Sequence, residues 1–156
     1  LGSIDYRTWR QRLERIDEIL RQSRIEEAFV RLCVKRRLRE LEEETQPDGR
    51  PMVGLCAGDQ VLLQRISAVA LRATIARTLT GDSYRDFSTR LAESSLLQWF
   101  CRLGRLGTIR IPGKSQLQRY QEMAEESELR QVVTGLLDSA AESNSALELE
   151  EELDGD

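Results

Sequence analysis

The chain has 156 residues, of which 32% are charged, with a net charge of −4 and no histidine. This length fits one domain or two small ones. The missing histidine excludes Ser-His-Asp and Cys-His relays and every zinc site that needs an imidazole. The three cysteines lie far apart and predict buried or free thiols rather than a disulfide framework. They are Cys33, Cys56 and Cys101.

The charge is unevenly distributed along the chain. Residues 141–156 contain seven acids and no base, whereas residues 57–121 contain ten bases and four acids, a net charge of +6. A basic middle is compatible with a nucleic-acid partner in spite of the negative total. No apolar run could span a membrane and no signal peptide is evident, so we expect a cytoplasmic chain without a membrane partner.

The first 45 residues predict an amphipathic helical hairpin, with helices over 4–22 and 24–44. The stripe of the first helix either packs in the core of the chain or forms a seam between two copies. It consists of Trp9, Leu13, Ile16 and Leu20. Tyr6 and Trp9 likewise either pack between the two helices or face a partner.

The second helix carries a basic patch, which would either contact flanking DNA or neutralise the acidic end of the same helix. Its members are Lys35, Arg36, Arg37 and Arg39. Residues 46–56 are rich in Pro and Gly and predict a linker to a central domain over 57–141.

The central domain should be helical throughout, and no strand signal is strong enough to predict a sheet. The expected helices are 60–79, 83–93, 95–103, 116–125 and 128–141. The first is the most apolar and should form the centre of the core, Val61 and Leu62 included. Trp99 and Phe100 are both expected in the core. The side chains that should cap these helices are Asp59, Asp82 or Ser83, Ser94 or Ser95, and Ser115.

The helices after residue 80 predict an all-α fold with a helix-turn-helix-like arrangement, in which 116–125 is the recognition helix. Gln and Arg contact base edges, while Lys, Ser and the N–H groups of a helix N-terminus suit phosphates. The predicted DNA-binding residues are Arg110, Lys114, Ser115, Gln116, Gln118 and Arg119, with Gln121 on the same face. The pattern alone also fits an ordinary solvated face, and both interpretations stay open at this point.

Six short motifs follow one another between Leu79 and Tyr120. They are Leu79-Thr80-Gly81, Ser83-Tyr84-Arg85-Asp86, Leu91-Ala92-Glu93-Ser94, Trp99-Phe100, Leu103-Gly104 and Pro112 to Tyr120. This series resembles the N-terminal domain of bacterial insertion-sequence transposases of the DDE class. The close match covers about a third of the chain, and Gln116 departs from the Thr that the family usually has there.

The resemblance implies that an RNase H-like catalytic domain follows, which uses three carboxylates and a divalent metal such as magnesium. None of the carboxylates present here matches those positions, so we expect this chain to hold no catalytic residue, no metal and no cofactor, and to be inactive as an enzyme alone. Its implied role is to bind double-stranded DNA at the terminal inverted repeats of the element and to support a homo-oligomer. The alternative is a helical dimerisation module without DNA binding.

The acidic end, residues 142–156, is expected to be a tail with little to bury. Runs of acids, such as Glu150 to Glu152, are usually solvated rather than metal-binding. Leu149 and Leu153, with the acids around them, could alternatively pair with a basic helix in this chain or in the missing domain.

Overall fold

The computed structural model describes residues 3–43, 57–106 and 110–125 and contains no strand in these ranges. The six α-helices are α1 (Ser3–Ser23), α2 (Ile25–Glu43), α3 (Ala57–Thr80), α4 (Tyr84–Glu93), α5 (Ser95–Phe100) and α6 (Lys114–Glu125), with a short 3-10 helix at Leu103–Leu106. The prediction of an all-α, multi-helix fold is confirmed. The predicted linker 46–56, the predicted helix 128–141 and the acidic tail lie outside the described residues.

Helix α3 forms the centre of the core. Eight consecutive residues, from Val69 to Ala76, are buried, so this part of the helix is covered on every side. The helix packs along α2 and α6, and it also contacts α4. The N-terminal part is different, because Val61 and Leu62 are 46% and 51% exposed. The expectation that both lie in the core is therefore wrong: among the described elements, none covers that side of α3.

The apolar stripe of α1 packs within the chain. Leu13, Ile16 and Leu20 are almost completely buried and belong to the same core cluster as Phe29 of α2 and the middle of α3. A single residue, Arg24, with φ of 59°, joins α1 to α2. Of the two interpretations that the stripe allowed, the structure supports packing in the core.

The pair Trp99 and Phe100 is divided between surface and core. Phe100 is fully buried, whereas Trp99 is 49% exposed, so the prediction that both lie in the core is wrong for Trp99. Adjacent residues of a helix point about 100° apart, and only one of the two can face α3. Leu97 and Phe100 take the inner side, three positions apart, which leaves Trp99 facing outward beside α1.

Serine side chains cap two of the short helices as predicted. The Ser83 hydroxyl accepts a hydrogen bond from the Asp86 N–H, and the Ser94 hydroxyl accepts one from the Leu97 N–H. Gly81 ends α3 with φ of 71°, in the left-handed region that glycine favours. Asp59 and Ser115 were expected to be caps, but α3 and α6 begin earlier, at Ala57 and Lys114, and both residues lie inside the first turn.

Candidate nucleic-acid interface

Helix α6 is held on the domain by three buried side chains, Leu117, Tyr120 and Ala124. Their spacing of three and seven residues puts them on one side of the helix, which packs against α3 and α4. The opposite side is exposed. It presents Lys114, Ser115, Gln118, Arg119 and Glu122.

The turn before α6 is fixed to α4. Pro112 is buried, and its carbonyl oxygen accepts a hydrogen bond of 2.7 Å from the Ser88 hydroxyl. Ile111 packs against the core cluster, while Arg110 on one side and Gly113 on the other are exposed. This anchoring determines where the N-terminus of α6 lies and which way it points.

The N-terminus of α6 differs from those of α4 and α5. The residue before the helix is Gly113, which has no side chain to accept a hydrogen bond. The first helical bond runs from the Leu117 N–H to the Gly113 carbonyl, at 3.0 Å. The N–H groups of the three preceding residues, Lys114 to Gln116, come before this bond and carry the positive end of the helix dipole. Such an end binds anions well, and the exposed Arg110 and Lys114 lie close to this one in the sequence.

Five of the six predicted DNA-binding residues are exposed: Arg110, Lys114, Ser115, Gln118 and Arg119. Gln116 is instead partly buried at the flank of α6, where its side chain hydrogen-bonds the Tyr120 hydroxyl. Burial raises the pKa of that hydroxyl, and the bond from Gln116 opposes the rise. Gln116 therefore stabilises the packing of α6 on the domain.

Gln121 is not on the outer face, contrary to its predicted position. It is partly buried, and its Oε1 accepts a hydrogen bond of 2.9 Å from the Arg77 guanidinium. Arg77 also lies 4.2 Å from the centroid of the Tyr84 ring and donates to the Asp82 carbonyl at 3.2 Å. These contacts join the end of α3 to α4 and α6. Arg77 and Gln121 therefore stabilise the packing of these helices.

The basic charge of the central segment is only partly available to a ligand. Arg72 is buried, Arg90 makes two hydrogen bonds to the Asp82 carboxylate, and Arg102 lies 3.7 Å from Glu26. Four exposed bases of this segment have no ion-pair partner within the described residues. They belong to α4, to α6 and to the turn before α6. They are Arg85, Arg110, Lys114 and Arg119.

The basic patch on α2 is exposed, and half of it is paired. Arg36 and Arg37 both contact the Glu40 carboxylate, at 3.3 and 3.2 Å. Lys35 and Arg39 are exposed on the same helix. Two of the four residues thus neutralise an acid of their own helix, which is one of the two roles that the sequence left open.

Sequence reasoning missed a buried ionic cluster centred on Arg72. Its guanidinium contacts Glu26 at 2.7 and 3.2 Å, Asp17 at 2.8 Å and the Phe100 carbonyl at 3.0 Å. The available signal was an arginine in the middle of an otherwise buried apolar run, because a buried charge requires partners. The cluster joins α1, α2, α3 and α5.

The described residues offer no group of three or more side chains of the types that hold a metal ion. Asp17 and Glu26 are buried, but Arg72 contacts both carboxylates. Arg21 also contacts Asp17 and Arg102 lies near Glu26, so this pair does not fit a divalent metal. Cys33 and Cys101 are free and buried as predicted, and burial raises the pKa of Cys101 to about 12, which keeps that thiol protonated. Cys56 lies outside the described residues.

Within the described ranges, no helix combines the length and the apolar character that crossing a membrane requires. No family model, curated protein or solved structure matches the chain.

Proposed function

We propose that this chain is the DNA-binding and oligomerisation domain of a bacterial insertion-sequence transposase of the DDE class. In this role it binds the terminal inverted repeats of its element as duplex DNA, works in the bacterial cytoplasm and has no catalytic activity alone. The ordered motifs from Leu79 to Tyr120 support the family. The observation that carries the DNA contact is the exposed N-terminus of α6, with three exposed bases, Arg110, Lys114 and Arg119, within five residues of it in the sequence.

Phosphate binding is the first part of this proposal. The Lys114 and Ser115 N–H groups, the Lys114 ammonium and the Arg110 guanidinium all belong to exposed residues of one short stretch of chain. Backbone N–H groups at a helix N-terminus and basic side chains both bind phosphate oxygens without reading sequence. These residues therefore position the domain on the duplex.

Base contacts are the second part. Gln118 and Arg119 lie one turn further along the exposed side of α6. Glutamine and arginine are residue types that form bidentate hydrogen bonds to purine edges in the major groove. Glu122 follows at the next turn of the same side and would repel phosphates. The contact is therefore confined to the first two turns of the helix, the usual part of a recognition helix that meets bases.

Salt dependence of duplex binding is the main test. Fluorescence anisotropy with duplexes from the DNA that flanks the reading frame should show affinity falling steeply with salt, with a slope of about 0.9 for each phosphate neutralised. Arg119→Glu should weaken binding about tenfold or more while the circular dichroism spectrum stays unchanged. Arg7→Glu is the matched control, because it makes the same charge change at an exposed position of α1. No binding to any duplex at low salt, or an equal loss in both variants, would overturn the assignment.

A dimerisation module without DNA binding is the second candidate, and an aromatic patch favours it. Tyr6 and Trp99 are 53% and 49% exposed and line the same cleft with Leu96 and Ser95. Exposed aromatic side chains are enriched at the centres of protein interfaces. This candidate predicts a dimer in light scattering that Trp99→Ser disrupts, together with no salt-dependent affinity for DNA. A dimer that also binds DNA would instead support the first proposal, in which the chain both binds DNA and forms an oligomer.

A further inference from the structure

A groove with an apolar floor runs between α2 and α3. Its volume is about 590 Å³. The floor contains Val30, Val34 and Leu38, which follow one another at intervals of four residues along α2. Ala68 of α3 lies opposite them. All four side chains are only partly buried, so the floor of the groove is accessible among the described residues.

The rim of the groove is basic. Arg31 and Lys35, one turn apart on α2, are exposed along its edge. Glu26 lies at the inner end, but it is buried and paired with Arg72, so it contributes little negative potential. Among the described residues that line the groove, Glu27 is then the one acid that faces solvent, and the two bases outweigh it.

The apolar surface continues toward the start of α3. Glu26 pairs with Arg72 while Cys33 interacts with Ser67, so the two helices run antiparallel and Leu38 lies near the first turns of α3. Val61 precedes Gln64 by three positions and Ala68 by seven, which places it on the side of α3 that faces the groove. Its 46% exposure extends the floor. A contiguous apolar surface with a polar rim indicates a binding site for a partner segment.

One segment of this chain has the complementary pattern. Residues 146–153 read Ala-Leu-Glu-Leu-Glu-Glu-Glu-Leu. Ala146, Leu149 and Leu153, at spacings of three and four, share one side of a helix, and glutamates flank them. Along a helix they extend about 10 Å, close to the roughly 12 Å from Val30 to Leu38.

We propose that residues 146–153 bind in the groove between α2 and α3. In this complex Leu149 and Leu153 lie on the apolar floor, and the glutamates contact Arg31 and Lys35. The segment can reach the groove, because the 20 residues between Glu125 and Ala146 span about 30 Å even when helical, the diameter of a small domain. The proposal does not depend on the DNA-binding function, since it uses no residue of α6.

The chain offers a direct test because it has only two lysines, Lys35 in the groove and Lys114 at the N-terminus of α6. A carbodiimide joins a lysine amine to a carboxylate that touches it. In the full-length chain, treated when dilute and then analysed by mass spectrometry, we expect Lys35 to be joined to Glu148 or to Glu150 to Glu152. Lys35→Arg keeps the charge, removes the amine and should abolish these products.

A second pair of measurements separates specific docking from charge attraction. Leu149→Asp with Leu153→Asp keeps the segment acidic but removes its apolar contacts, and the Lys35 products should fall about tenfold. Mixing ¹⁵N-labelled and unlabelled chains should give no mixed products. The proposal is overturned if the segment joins mainly to Lys114, if the leucine variants react as the wild type does, or if the products link two copies. Duplex binding is measured separately by anisotropy, so a failure of this proposal is distinguished from a failure of the proposed function.

Discussion

The Arg72 guanidinium of α3 and the Glu26 carboxylate of α2 form two hydrogen bonds, of 2.7 and 3.2 Å, with both residues buried. The same guanidinium reaches Asp17 of α1 and lies 5.3 Å from the centroid of the Phe100 ring. One side chain thereby connects the first two helices to the centre of the core. Arg72 thus pairs with two buried carboxylates, those of Glu26 and Asp17.

Glu26→Gln should lower the free energy of unfolding by about 1.5–3 kcal/mol, because Arg72 loses its charged hydrogen-bond partner on α2 while Asp17 still pairs with it. Urea denaturation followed by circular dichroism measures this loss. Glu27→Gln is the matched control: the same chemical change at the neighbouring exposed position should cost no more than about 0.5 kcal/mol. Equal effects of the two substitutions would show that Glu26 is solvated.

The Asp82–Arg90 pair should make stability pH-dependent. The hydrogen bonds from Arg90 hold the pKa of Asp82 below its usual value of 3.8. A carboxylate whose folded-state pKa is depressed stabilises the fold above the unfolded-state value, and this contribution disappears as the pH falls through the folded-state pKa. Asp82→Asn should therefore cost roughly 0.5 kcal/mol at neutral pH, a small value because Arg90 is partly exposed.

The pH series itself distinguishes the ion pair from other effects of that substitution. The difference between wild type and Asp82→Asn should be constant from neutrality down to about pH 5 and should shrink as the pH falls through 3.8. Arg90→Ala should follow the same curve, since it removes the other partner. A difference that stays unchanged well below pH 3.8 would mean that Asp82 acts through its neutral hydrogen bonds.

Trp99 and Phe100 should differ sharply when truncated, although they are neighbours. Phe100→Ala removes a fully buried ring and should cost about 3–5 kcal/mol in unfolding free energy. Trp99→Ala removes a ring that is 49% exposed and should cost less than about 1 kcal/mol. Denaturant titrations of the two variants give the comparison directly. A loss at Trp99 as large as that at Phe100 would place the indole in the core.

The sequence predicted the helices well because each long one repeats apolar residues with a helical period, and serine caps define the starts of α4 and α5. It failed for Trp99 since α5 has only six residues, too few for periodicity to decide which aromatic faces inward. It also failed at the start of α6. There Ser115 has the better capping side chain, but the anchored Pro112 and the following glycine start the helix earlier.

The candidate interface was predictable in part. The exposure of Lys114, Gln118 and Arg119 follows from the spacing of the buried residues of α6. The engagement of Gln121 by Arg77 does not, because that partner is 44 positions away in the sequence. Arg72 could not be predicted for the same reason. Counting charges along a segment treats every arginine as available at the surface, whereas Arg72 is buried in ion pairs with Asp17 and Glu26.

Gly113→Asp should change stability and DNA affinity in opposite directions. The backbone there is not in the left-handed region and a Cβ would meet nothing within 4 Å, so the side chain is accommodated. An aspartate before Lys114 caps the N–H groups of α6 and complements the helix dipole, which should stabilise the domain by about 0.5 kcal/mol. The same carboxylate occupies the N–H groups that would bind phosphate, and duplex affinity at low salt should fall about tenfold or more. Ser94→Asp adds the same charge at the N-cap of α5 and should leave affinity nearly unchanged. A more stable Gly113→Asp variant that binds duplex DNA as tightly as the wild type would show that the α6 N-terminus does not contact the phosphates.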